Sequence, residues 1–193
     1  MEWDYLLFKA INDAANNESV LGKLLVHAAD WGDYFFFFSL LLMVLVNRKM
    51  AIYGMIAVGV TVMISRGMSV FYYRDRPFAV HDVNMLLPHI ESNSFPSDHA
   101  AAAFAIAIMF YLLSRRIGIP FIGFAAVVAY SRIWVGKHYP TDVLAGALLG
   151  LAISIALYRL LEKFLVYERC GSLLNQLAKK RGVKSDNAGD MKM

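Results

Sequence analysis

An arginine, a histidine and an aspartate stand at fixed offsets in the stretch Ser131–Asp142, SRIWVGKHYPTD. Histidine has its proton affinity near neutral pH, and its bare ring nitrogen is also a nucleophile. Asp142 follows His138 by four residues, one helical turn on. A carboxylate there can hold one imidazole nitrogen and leave the other free. Arg132 adds a planar fork of donors suited to phosphate. Two further stretches repeat the theme, Arg76–Pro77 in YYRDRPF and Pro96–His99 in FPSDHA. Phosphoryl transfer needs a nucleophile, an acid for the leaving oxygen and cations for the equatorial oxygens. His138 is the expected nucleophile, with Asp142 stabilising the imidazolium, and His99 is the expected general acid. Arg76 and Arg132 are the expected clamp. Ser97 and the backbone N–H groups of Asp98 and His99 add donors at the first turn of a helix, a natural anion site.

Blander roles compete with each assignment. Asp142 or Thr141 can simply cap a helix, as can Ser97. Arg76 and Arg132 can anchor helix ends at a membrane interface. His27, His81 and His89 read as loop or packing residues. Asp98 beside an anion would repel it, so it is expected to point away or to pair with an arginine. Cys170 is the only cysteine, which excludes an intramolecular disulfide. The sequence shows no metal-ligand spacing, and no metal or cofactor is expected.

The elements that must position these residues are helices in a bilayer. Of 193 residues, 59% are hydrophobic and only 18% charged, more apolar surface than a soluble domain of this length can cover. The apolar residues fall in runs of about 20, enough to cross a membrane. Residues 1–18 alternate apolar and charged positions at helical spacing (Trp3, Leu7, Ile11 and Ala14 against Asp4, Lys9, Asp13 and Glu18). They read as an amphipathic helix, either on the membrane surface or packed on the bundle. The segment is acidic and polar-interrupted, unlike a cleavable signal peptide. Five spans follow, near Val20–Val46, Met50–Tyr73, Ser97–Arg116, Gly118–Val135 and Thr141–Leu161. Residues 166–193 form a polar tail, basic at Lys179, Lys180, Arg181 and Lys184 and expected to be mobile. The whole is expected to be one all-α domain.

Short loops rich in Lys and Arg stay cytoplasmic. With five spans, Arg48–Lys49, Arg115–Arg116 and the basic tail share that side, and all three chemical stretches gather on the outer face. Arg74, Arg76, Arg132 and Lys137 break the charge rule there, and phosphate binding explains the exception.

The three stretches, RP, then PSDH, then SRIWVGKHYPTD, resemble the signature of the type 2 phosphatidic acid phosphatase superfamily, K-x6-RP, PSGH and SR-x5-H-x3-D. The similarity runs from about Ile52 to about Leu160. Motif order and the surrounding text, LLPHIESNSFPSDHA included, resemble the bacitracin-resistance type of undecaprenyl pyrophosphate phosphatase. Two positions depart: Ser69 stands where the family has lysine, and Asp98 where PSGH has glycine. Arg66, inside the second span, or Arg74 is expected to supply the missing cation; alternatively Arg66 pairs with Asp30 or Asp33. The resemblance implies a helical membrane bundle and a phosphohistidine intermediate without a metal. It further implies a polyprenyl diphosphate substrate cleaved at the outer face of a bacterial plasma membrane, with bacitracin resistance as a consequence. It gives no reason to expect a nucleic acid and leaves homo-oligomerisation open. A broader lipid phosphatase, acting on phosphatidylglycerol phosphate, phosphatidic acid or diacylglycerol pyrophosphate, fits the same motifs. A lipid or phosphate carrier would instead show inverted repeats or helices broken at mid-membrane, and none is evident. The related vanadium-dependent haloperoxidases share the histidine and arginines but are soluble.

Overall fold

The computed structural model describes residues 2–16, 18–88 and 92–164 in full and residues 165–189 as backbone alone. Among the described residues seven helices follow in order: α1 (Glu2–Asp13), α2 (Val20–Val46), α3 (Arg48–Phe71), α4 (Pro77–Val80), α5 (Asp98–Leu113), α6 (Arg115–Trp134) and α7 (Pro140–Gly189). The described residues include no strand. The chain divides into two compact units, Met1–Ala156 and Leu157–Met193, and every candidate site residue lies in the first. The side chains of the expected basic tail lie outside the described residues, as does His89; the tail's backbone is helical to Gly189.

Local chemistry sets the helix ends. Ser19 caps α2 by accepting from the Gly22 N–H at 3.0 Å. Asn47 closes one helix and opens the next: its N–H bonds the Met43 carbonyl at 2.8 Å, and its side chain accepts from Met50 N–H at 3.1 Å. Ser114 ends α5 in extended backbone, with its N–H on the Phe110 carbonyl at 2.7 Å, and α6 starts at the next residue.

Helices α2, α3, α6 and the Pro140–Phe164 part of α7 are long and apolar enough to cross a bilayer. Their outer faces expose Leu24, Phe38, Leu45, Met63 and Val70, the surface that lipid covers. The third expected span is shorter than the sequence implies, because Ser114 stops α5 at 16 residues. That is ~24 Å of helix against a hydrocarbon core of ~30 Å.

Helix α5 lies at the centre of the bundle. Its Ala103, Ile106, Ala107 and Phe110 meet Phe36, Leu40 and Met43 of α2, Met50 of α3, and Ala125 and Val128 of α6. Small residues bring α7 close: a Cβ on Gly146 would lie 2.5 Å from the Ser97 carbonyl, and one on Gly150 2.5 Å from that of Ala101. Close backbone approach of this kind is how membrane helices pack tightly.

Helix α1 packs on the bundle, and its inward face is not the apolar stripe. Asp4, Phe8 and Asn12 are buried, while Trp3, Leu6 and Leu7 are exposed. Phe8 packs edge-on against Tyr139, with ring centroids 5.5 Å apart. The Asn12 amide donates to the carbonyls of Asn84 (3.0 Å) and Trp134 (2.9 Å), and its oxygen accepts from Asn84 N–H at 2.8 Å. These polar partners draw the polar face inward, and the outer apolar residues remain for the membrane interface.

Candidate active site

The end of α3, the start of α5, the end of α6 and the start of α7 meet at one end of the bundle. The three chemical stretches therefore converge although they lie far apart in sequence. Arg48 and Arg115, at the starts of α3 and α6, mark the opposite end.

His138 is buried, 1% exposed. Arg76 places a guanidinium nitrogen 3.0 Å from its Nε2. A guanidinium only donates, so Nε2 is an acceptor and the proton sits on Nδ1. That Nδ1–H donates to the Ser94 carbonyl at 2.9 Å. Burial first, and then the charges of Arg76, Arg132 and His99, hold the His138 pKa well below the usual histidine value; the Ser94 carbonyl opposes them only weakly. The ring is neutral at physiological pH, and its Nε2 lone pair accepts from Arg76, a bond an electrophile must displace to reach it.

The carboxylate expected to hold that ring stands off from it. Asp142 Oδ2 is 3.9 Å from His138 Nδ1, and Ser94 fills the interval. Its carbonyl takes the imidazole proton, while its hydroxyl donates to Asp142 Oδ2 at 2.6 Å. Asp142 also accepts from Tyr139 N–H at 3.0 Å, within the first turn of α7. It thus caps α7 and acts on the imidazole through Ser94. Nothing in the sequence singles out Ser94 beyond its place in the stretch leading to PSDH.

Behind this corner lies a second set of charges. Asp4, fully buried, pairs with Arg74 at 2.6 Å and accepts from Thr141 N–H at 3.1 Å and Thr141 Oγ1 at 2.5 Å. Arg74 also pairs with Asp142 at 2.7 Å and stacks 3.9 Å from the centre of the Tyr139 ring. Burial alone would lower the Arg74 pKa, but Asp4 and Asp142 outweigh it and raise it. Arg74 is therefore a strut between α1 and α7, with both ends engaged. As the expected substitute cation it would have to bind phosphate with a guanidinium that two carboxylates already hold.

Arg66 does not pair with Asp30 or Asp33. Its side chain is 76% exposed and lies 3.9 Å from Asp98. Asp98 also accepts a hydrogen bond from Ser65, so it pairs with an arginine, as its awkward position required. Ser69, at the family's lysine position, donates to backbone carbonyls of Ser65 (3.2 Å) and Phe95 (3.1 Å). Asp33 instead takes His99: its Oδ2 lies 2.9 Å from His99 Nε2. An ionised carboxylate only accepts, so that ring nitrogen carries a hydrogen.

The remaining donors are under-used. Arg132 is 1% exposed; one terminal nitrogen donates to the Ala29 carbonyl at 2.7 Å, and its Nε has no partner. Ser97 precedes α5 but makes no side-chain cap bond, and its buried hydroxyl is also unpartnered. The first amides of α5 have no intrahelical acceptor by construction. Arg76 is otherwise fixed by backbone oxygens, of Lys137 at 3.0 Å and of Ser92 and Asn93 at 3.2 Å. The described residues contain no cluster that could hold a metal ion. His81 stacks on Tyr5 at 3.9 Å, a packing role, and His27 is exposed. Beside His99 a cavity of about 320 Å³ runs down between α2, α3 and α5. Asp33, Arg66 and Asp98 line its polar end, and Leu40, Val58 and Ile106 its apolar end.

A helical membrane bundle with a neutral buried imidazole among guanidinium groups has the chemistry of a membrane phosphatase. Residues 49–165 match the PAP2 superfamily, and the chain belongs to it, as a lipid phosphatase of the membrane. The chain is 34% identical over 186 residues to undecaprenyl-diphosphatase BcrC of Bacillus subtilis (strain 168), covering 92% of this chain and 96% of that protein. It is 34% identical over 190 residues to the bacitracin transport permease protein BcrC of Bacillus licheniformis, covering 96% and 93%. The crystal structure of Aquifex aeolicus LpxE superposes with a TM-score of 0.71 at 29% identity, covering 80% of this chain and 94% of that one.

Proposed function

We propose that this protein hydrolyses undecaprenyl diphosphate to the monophosphate and inorganic phosphate through a phosphohistidine on His138. The observation that carries the reading is the neutral His138 ring, its Nε2 exposed to donors and its Nδ1–H fixed on Ser94.

Nε2 attacks the terminal phosphorus, and the bond from that phosphorus to the bridging oxygen breaks. The bridging oxygen leaves on the lipid monophosphate and takes a proton from His99. Arg76, Arg132 and the Ser97 hydroxyl bear the charge that develops on the equatorial oxygens. The phosphorylated imidazole is cationic, and the Ser94 carbonyl, backed by Asp142, stabilises it through Nδ1–H. Water then attacks the phosphorus and gives a proton to His99. The P–N bond breaks, which releases phosphate and restores the neutral ring.

The lipid and the membrane face follow from surroundings. The cavity beside His99 is polar at the site and apolar below, which suits a phosphate joined to a hydrocarbon chain. Arg48–Lys49 and Arg115–Arg116 lie at the other end of the bundle, and the rule for basic loops supports an extracytoplasmic site. The names of the relatives add the undecaprenyl carrier. Hydrolysis of the diphosphate at that face removes the lipid that bacitracin captures and returns the carrier for reuse, which accounts for resistance. A lipid carrier function, suggested by the permease wording of one relative's name, has no use for a neutral histidine held against a guanidinium.

The test is phosphate release by the purified protein in detergent, offered undecaprenyl diphosphate, phosphatidylglycerol phosphate and phosphatidic acid in parallel. The reading expects kcat/KM for the diphosphate to exceed the others by at least about tenfold, and His138→Ala to lose at least about a thousandfold. Equal turnover of all three lipids would establish the broader phosphatase instead. No release from any of them, with His138→Ala unchanged in behaviour, would leave the carrier.

A further inference from the structure

Position 69 lacks the family's cation, and three basic residues are candidates to replace it: Arg66 and Arg74 flank it in sequence and Lys137 precedes His138. Two are engaged: Arg74 with Asp4 and Asp142, and Arg66 with Asp98. The third is Lys137, next to the nucleophile. It is only 7% exposed, and among the described residues no hydrogen bond or ion pair engages its ammonium. The loop that buries it is specific. Gly136 takes φ +83°, and a Cβ there would lie 3.2 Å from the Asn84 carbonyl. The Lys137 carbonyl accepts from Arg76, the guanidinium that covers His138 Nε2.

We propose that Lys137 is a further phosphate-contacting cation of this site, closing on the phosphoryl group that His138 accepts. The proposal rests on the phosphatase reading above. The residue is largely buried, yet among the described residues no carboxylate pairs with its ammonium, and a bound phosphate oxygen supplies that partner. Two buried donors, the Arg132 Nε and the Ser97 hydroxyl, are likewise without a partner among the described residues, so these groups are left for one anion.

The charges around Lys137 give the proposal a signature. Burial first, then Arg132 from α6 and Arg76 from the loop before α4, bring its pKa down to about 8; Asp30 and Asp33 from α2 pull the other way. His138 beside it is neutral, and His99 on α5 is held by Asp33. The ammonium is charged at neutral pH and loses its proton in mild alkali, so phosphate capture weakens as pH rises through that value. A bound phosphate stabilises the ammonium, so kcat survives to higher pH than kcat/KM.

The experiment compares wild type, Lys137→Met and Lys137→Arg, each full length in detergent, with kcat/KM measured for a lipid diphosphate from about pH 6 to about pH 10. Lys137→Met is expected to lose about 10- to 100-fold in kcat/KM at neutral pH and to lack the alkaline fall. Lys137→Arg, charged throughout, is expected to move that fall to higher pH. An alkaline fall unchanged in both variants overturns the proposal. Should Lys137→Met not fold, the position of the fall in Lys137→Arg decides alone. A readout without turnover separates this proposal from the reaction itself. Inorganic phosphate should raise the unfolding temperature of wild type and not of Lys137→Met, and an equal rise in both overturns the assignment whether or not any lipid is hydrolysed.

Discussion

Two corners flank His138, and they treat buried polar atoms in opposite ways. On the α1 side every partner is present: Asp4 with Arg74 and Thr141, Arg74 with Asp142, Asp142 with Ser94. On the α2 side the buried Ser97 hydroxyl and Arg132 Nε have none among the described residues. An unmade buried hydrogen bond costs about 1–3 kcal/mol, so one corner stabilises the fold and the other is completed only by a ligand. An orphan atom alone does not mark a site, since Thr61 Oγ1 and Trp134 Nε1 are also unpartnered. The clustering of several around a neutral imidazole does.

Substitutions can break this contrast, and the largest stability effect is expected on the satisfied side. Asp4→Ala leaves the Arg74 charge and the Thr141 donors without their partner, at a cost of about 3 kcal/mol, read as a lowered unfolding temperature in detergent. An unmoved unfolding temperature would mean that α1 is not a strut. Ser97→Ala tests the other side. With no bond to lose, it should leave the unfolding temperature unchanged while kcat/KM falls about tenfold or more. If stability drops while kinetics hold, the hydroxyl is a structural cap after all. The smallest change is expected from Arg66→Ala, whose exposed contact with Asp98 is weak. Turnover within about threefold of wild type fits that contact, and a loss beyond about thirtyfold would restore Arg66 as a phosphate-binding cation.

What the sequence makes legible follows from what local spacing encodes. The helices, their membrane character and the three motifs depend on runs and offsets of a few residues, and the family and fold are as those runs imply. Contacts across long stretches of chain are another matter. Asp4 meets Thr141 across 137 residues, and no periodicity announces it; the apolar stripe of α1 suggested the opposite face. Likewise the four-residue step from His138 to Asp142 is real, but the Ser94 carbonyl takes the imidazole proton because the loop before α5 passes between them. Asp33 reads as a charge near a helix end, and only the packing of α2 on α5 shows that it meets His99. Nor does sequence proximity to the missing lysine reveal that Arg74 is held by Asp4 and Asp142, or that Arg66 stands 3.9 Å from Asp98.

The account stands most directly on one covalent bond. Wild-type protein mixed with undecaprenyl diphosphate radiolabelled in its terminal phosphate, and quenched in alkali within a turnover, should carry label on His138. That label should be stable to base, labile to acid and absent from His138→Ala. Rapid turnover with no labelled protein at any time point, or label on a residue other than His138, would contradict it.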